Sequence, residues 1–272
     1  MIKSTGIENM ATKIAKKILV FFLCFFCLIA VAKAQNFLST DEGKRAFAAD
    51  ISILIEKTWK NWQDSITIDN VSVEGSNGIL IPGSISDFVM QSDDMLKHFD
   101  RKGRSQDYIN CVIAVSKALE NGMRSWQRGY RCERILFPQG ASCSYTLSPC
   151  ENIPINIRSG HSIGDKNMSE NELYSYLLYR APKAAENELV VFRAIAKSIS
   201  ECFGQWQQTC SISGIVASGG IAPIPAPIGT GPGPVRGAKG NGGKFLGPYI
   251  TSDQLYARIM GYLETGDINI GS

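Results

Sequence analysis

Ser162 lies between two glycines in Gly160-His161-Ser162-Ile163-Gly164, the G-x-S-x-G spacing that lifts a serine hydroxyl onto a sharp strand-to-helix turn. The chemistry would be acyl transfer, with Ser162 attacking a carbonyl carbon and a histidine such as His98 taking its proton. A second stretch, Ala238-Lys239-Gly240-Asn241-Gly242-Gly243-Lys244-Phe245, approaches a phosphate-cradling loop. Cysteines and carboxylates supply the remaining reactive groups. The chain has eight Cys but only two His, His98 and His161, and Asp93, Asp94 and Asp100 cluster around the first of these.

Each signal meets a physical obstacle. Residues 160–164 resemble the GHSxG form found in lipases and esterases of the α/β-hydrolase family, and the resemblance implies a serine nucleophile followed by an acid and then a histidine. No histidine follows position 162, the next helix signal begins only at Ser169, and no βα alternation surrounds the motif. In the phosphate-loop stretch, Phe245 stands where a Ser or Thr must bind magnesium, and Ala238 stands for the leading glycine. Apart from Cys24 and Cys27 within the apolar run at 18–32, there is no CxxC, which argues against zinc, and no loop alternates oxygen ligands as calcium requires. His98 sits near a predicted helix end, where a cation is welcome. The expectation is no catalytic set, no metal and no cofactor.

The N-terminus carries a targeting pattern. Lys13, Lys16 and Lys17 precede an apolar run over 18–32, and Ala32-Lys33-Ala34 offers a small-x-small cleavage site before Gln35. The run is short for a membrane span, which needs about 20 residues. Residues 1–34 are expected to be a signal peptide, leaving an exported chain with no stable membrane span. Without that segment the chain loses five of its 28 basic and one of its 25 acidic residues, leaving 23 against 24. A near-neutral chain without a Lys/Arg run argues against a nucleic-acid partner. Cys24 and Cys27 leave with the signal, so Cys111, Cys132, Cys143, Cys150, Cys202 and Cys210 remain. In an oxidising compartment they are expected to form disulfides, with fifteen connectivities open. Cys143–Cys150 and Cys202–Cys210 are plausible local bridges, which would leave Cys111 with Cys132.

The elements that must position these groups are legible through three Trp-Gln pairs: Trp62-Gln63, Trp126-Gln127 and Trp206-Gln207. Three residues before each Trp stand Trp59, Met123 and Phe203; seven before stand Ile55, Leu119 and Ile199. Together with Ile51, Val115 and Ile195 at eleven before, they trace one helical face. Helices are predicted over 41–63 behind Ser39, 106–128 behind Ser105, and 183–208 with Pro182 in its first turn. Extended segments follow each, with Glu74-Gly75-Ser76-Asn77-Gly78 as a turn between strands at 71–73 and 79–83. Shorter helices are predicted at 86–99, 170–180 and 252–263. Gly and Pro crowd 223–247, which reads as a loop or arm.

The expected fold is α+β, built from three pseudo-repeated helix–β-hairpin–helix units (35–104, 105–182 and 183–272), disulfide-stabilised, with the Gly/Pro-rich arm in the third. The repeated aromatic and apolar residues Trp59, Trp62, Met123, Trp126, Phe203 and Trp206 are expected in the core. The expected function is that of an exported structural or interaction protein, periplasmic or extracellular, with a protein partner or self-assembly. Its interaction candidates are Pro223, Pro225, Pro227, Pro232, Pro234, Arg236, Lys239, Lys244 and Phe245. The alternatives are a secreted serine hydrolase using Ser162 and a ligand-binding module. Asn70 and Asn167 head acceptor sequons.

Overall fold

The computed structural model describes residues 37–137, 150–182, 184–218, 237–266 and 268. Among them are six α-helices: α1 (Asp41–Ser65), α2 (Ser92–Lys97), α3 (Gln106–Gly129), α4 (Glu170–Arg180), α5 (Glu186–Thr209) and α6 (Ser252–Thr265). Four begin on a hydroxyl that accepts an otherwise unpaired first-turn N–H: Thr40 from Gly43, Ser105 from Tyr108, Ser169 from Glu172 and Thr251 from Gln254. The cap of α1 is therefore Thr40, one residue beyond the Ser39 that spacing suggested. Helix α5 starts later than Pro182 allows, because the Glu188 carboxylate reaches back to the Ala185 N–H at 2.8 Å and fixes the first turn there. The helix expected over 86–99 shrinks to Ser92–Lys97. Its first residues are held extended: Ser86 N–H donates to the Thr67 carbonyl at 2.8 Å, and Ile85 bridges Ile68.

Among the described residues, ten short strands form two antiparallel sheets: β1 (Val71–Glu74), β2 (Asn77–Leu80), β3 (Tyr130–Leu136), β4 (Cys150–Glu151), β5 (Ile155–Asn156), β6 (His161–Ser162), β7 (Ser211–Ser213), β8 (Val216–Ser218), β9 (Ala238–Asn241) and β10 (Lys244–Leu246). The larger sheet runs β4-β8-β9-β1-β2-β3-β6 and the smaller β10-β7-β5. Strand alternation turns Val71, Val73, Leu80, Cys132 and Ile135 inward and leaves Ser72, Glu74, Ile79 and Leu136 outside. The sheet curls on itself, since Ile153 N–H, just after β4, donates to the Leu136 carbonyl at the end of β3 at 2.7 Å. Small residues permit this curvature: a Cβ on Gly78 would lie 2.7 Å from the Phe137 ring, and one on Gly240 2.5 Å from Ile215. Asn152 pins the seam. Its amide donates to the Ile153 and Ile212 carbonyls, and its oxygen accepts from Ile215 N–H.

Each long helix ends three residues past its tryptophan and passes directly toward a strand. The Trp62 and Trp206 carbonyls accept the N–H of Ile66 and Cys210, at 3.1 and 2.9 Å. The indoles meet at this junction: Trp62 lies edge-on to Trp59 and Trp126 and is tilted against Trp206 and Phe245, with centroids 5.5 to 6.3 Å apart. All four tryptophans are buried, as are Met123 and Phe203. Edge-to-face contact adds about 0.5–1.5 kcal/mol per pair beyond the burial of apolar area.

The expected architecture needs two corrections. Three repeated helix–hairpin–helix units are not seen. What recurs is the helix-to-strand handover, while the strands pair across the expected boundaries: β3 with β2, β4 with β8, and β1 with β9. Nor is the fold disulfide-bonded among the described residues, where Cys111, Cys132, Cys202 and Cys210 are buried free thiols. Helix geometry forbids both bridges that can be examined. Cys202 and Cys210 are separated by the unbroken end of α5, about 12 Å along the axis, whereas a bridge needs Cα atoms within about 7 Å. Cys111 lies about 27 Å along the axis from the end of α3 at Gly129, and Cys132 follows only three residues later, too few for the chain to return to it. Cys143 and the Cys150 side chain lie outside the described residues, as do residues 1–34, expected as a signal peptide, and residues 223–236 of the Gly/Pro-rich stretch.

Candidate functional site

The Ser162 hydroxyl has a structural occupation. It donates to the Trp126 carbonyl at 2.7 Å and accepts from Gly164 N–H at 2.9 Å, while Ser162 N–H donates to Asp165 at 2.8 Å. It therefore caps the end of α3, where the other two tryptophan carbonyls receive a backbone N–H. Gly164 is required beside it: a Cβ there would lie 2.3 Å from Ser125 carbonyl atoms. Ser162 is buried, and no histidine bonds to it among the described residues. His98 is the C-terminal cap residue of α2 and lines a small groove with Asp50, Phe99 and Arg104. The structure does not bring Ser162 and His98 together.

Burial disfavours the reactive thiolate at the four described cysteines. Burial pushes Cys111 up to about 12, with Glu188 and Asp107 adding to the shift, and pushes Cys202 and Cys210 up to about 11. The Cys210 thiol donates to the Pro248 carbonyl at 3.3 Å. Of the surface candidates, Lys239 and Lys244 are exposed on β9 and β10, in strands rather than a loop. Phe245 is 2 % exposed and packs against Trp62, Trp126, Trp206 and Tyr130, which makes it core. Pro223, Pro225, Pro227, Pro232, Pro234 and Arg236 lie outside the described residues. Asp69, near the phosphate-loop-like stretch, accepts Gly242 N–H at 2.9 Å, so that turn is occupied by a carboxylate of the chain itself.

A larger concave surface than the groove at His98 lies beside β3. A register shift between Gly78 and Leu80 gives β3 an extra residue, so Glu133 and Arg134 both face outward between buried Cys132 and Ile135. This is a β-bulge, a device that re-aims side chains. With Leu136, Ile155, Ser159 and His161 these two residues wall a groove of about 520 Å³. No hydrogen bond joins Ser159, His161 and Glu133 among the described residues. Arg131, paired with His161 in the ladder, lies 3.9 Å from Glu133, beyond hydrogen-bonding reach, and its buried Nε has no acceptor. Leu136 is 47 % exposed and the adjoining Ile153 48 %. Val216, also exposed, pairs across β4 with Glu151.

Sequence reasoning did not single out Glu133, Arg134, Leu136, Ile155 or Ser159 as individual site residues. The available signal was the break in strand alternation made by two consecutive charged residues between Cys132 and Ile135. Nothing in local sequence announces that Ile155–Ser159 lies opposite them. No helix among the described residues is long and apolar enough to cross a membrane, and they hold no cluster of His, Cys, Asp and Glu that could bind a metal. Compared with protein-family models, curated proteins and solved structures, the chain matches none.

Proposed function

We propose that this chain is an exported interaction protein, a component of an envelope or secreted assembly, and that the β3 side of its curled sheet is a contact surface. The observation that carries the reading is the apolar row Leu136, Ile153 and Val216 beside the groove. These are large aliphatic side chains, all exposed: Ile153 bonds through its backbone to Leu136, and Val216 pairs with Glu151, two residues before Ile153. Contiguous exposed apolar surface of this kind is associated with partner binding. The engagement of the Ser162 hydroxyl by a helix-end carbonyl favours this reading over a serine hydrolase.

The test is site-specific photo-crosslinking in the source cells, with p-benzoylphenylalanine introduced at Ile153 or Val216 and, as a control, at exposed Lys57 on α1. Discrete higher-mass adducts from the first two positions only are expected, in the exported fraction, with the chain beginning at Gln35. Absence of adducts at both positions, with the purified protein a monodisperse monomer at high concentration, would overturn the proposal. Fluorophosphonate labelling of any serine would replace it with the hydrolase reading.

A further inference from the structure

Resting on that reading, we infer that the groove beside β3 takes an extended peptide segment of a partner protein, one that carries a carboxylate next to aliphatic side chains. The shape argument comes from the ladder. β3 is bonded on this side only at its two ends: Tyr130 and Arg131 pair with Ser162 and His161, and the Leu136 carbonyl accepts from Ile153 N–H. Between those ends residues 132–135 have no strand partner on the groove side among the described residues, because Ile155 and Asn156 pair with β7 instead. The opening is on the order of 13 Å long, the reach of about four extended residues. That suits a peptide and is too short for a folded face.

The charge argument comes from the side chains at the opening. Arg134 makes no ion pair among the described residues, and His161 is exposed. Arg131 has only Glu133 nearby at 3.9 Å, and its buried Nε lacks an acceptor. The Arg134 guanidinium and the His161 imidazole thus line the space together with the Glu133 carboxylate, and Arg131 stands next to that carboxylate. An incoming carboxylate can pair with a guanidinium in a two-pronged, charge-assisted contact. Leu136 and Ile155 supply an aliphatic wall beside it. A nucleic-acid backbone or an anionic membrane calls for a broad cationic face, and here exposed Glu133 and Glu151 interrupt the basic residues.

The experiment places p-benzoylphenylalanine at position 136 of the full chain in its source cells and sequences the adducted partner segment by mass spectrometry. The expected segment has an Asp or Glu within two residues of an aliphatic residue. Adduct yield should fall at least tenfold in Arg134→Glu, fall less in Arg134→Lys, which keeps the charge but loses the two-pronged geometry, and decline as ionic strength rises. Unchanged thermal unfolding of Arg134→Glu excludes misfolding as the cause. A partner segment without a carboxylate, or a yield indifferent to Arg134→Glu, overturns this inference and leaves the contact-surface reading standing. Adducts to lipid or to a second copy of the chain also overturn it. Absence of adducts at 136, 153 and 216 together overturns both.

Discussion

Replacing Gln127 with leucine tests whether the three Trp-Gln pairs are equivalent. Gln127 is buried; its oxygen accepts from Trp62 Nε1 at 2.9 Å and its amide donates to the Ser86 and Phe88 carbonyls at 2.6 and 3.0 Å. Leucine preserves volume but strands the fully buried Trp62 N–H, a loss of about 1–3 kcal/mol. The two carbonyls lie in a partly exposed segment that water can reach, so they add less. A total of about 2–3 kcal/mol is expected, read as a lower urea midpoint at unchanged slope by tryptophan fluorescence. Gln207→Leu is the internal control. Gln207 accepts nothing from Trp126, whose Nε1 has no partner, and donates only to Asp165 at 3.2 Å. Its loss should cost less than about 1 kcal/mol. Equal costs for the two variants, or a Gln127→Leu cost under about 0.5 kcal/mol, would refute the reasoning.

Three further outcomes are expected. Ser162→Ala should destabilise the chain by about 1–2 kcal/mol, through loss of the bonds to Trp126 and Gly164, in a urea titration; an unaltered midpoint would remove the capping role. Buried Glu120 ties α2 to α3: it accepts Ser92 N–H and the Lys117 ammonium, and pairs with Arg124. Burial pushes its carboxyl up, but the bonds from Ser92 and Lys117 outweigh that and hold it below the ordinary range. Its contribution is therefore present above about pH 4.3 and lost as pH falls through the depressed value. Glu120→Gln should lose less stability than the parent chain between pH 7 and pH 3 in parallel urea titrations. Finally, Cys111, Cys132, Cys202 and Cys210 should resist iodoacetamide at pH 8 in the folded chain and react on unfolding, because burial raises all four thiols. Mass spectrometry that finds Cys202 bridged to Cys210 in the native protein would contradict the helix argument.

The helices were the most legible part of the chain. A spacing of three and four residues between apolar side chains needs only local geometry, so α1, α3 and α5 and their buried Trp, Met and Phe residues could be read from periodicity alone. The same helices already excluded the Cys202–Cys210 and Cys111–Cys132 bridges, since a helix sets the distance between its residues. Pairing the cysteines by sequence proximity ignored that constraint. The seven-stranded order and the seam at Asn152 depend on contacts between residues far apart in the chain, and so does the meeting of Glu133–Arg134 with Ile155–Ser159.

Ser162 shows the same division. Its five-residue setting predicts a nucleophile, whereas its three-dimensional setting makes it the donor for one helix-end carbonyl. The three Trp-Gln pairs show it most fully. Sequence alone determined that each tryptophan ends a helix and that its ring belongs in an apolar core, because both follow from the period of one helix. Which glutamine serves which indole was decided only by tertiary packing. Gln63 accepts from Trp206 and Gln127 from Trp62, while Gln207 turns to Asp165. A hydrogen bond is directional and short, and its partner is fixed only when separate helices come together.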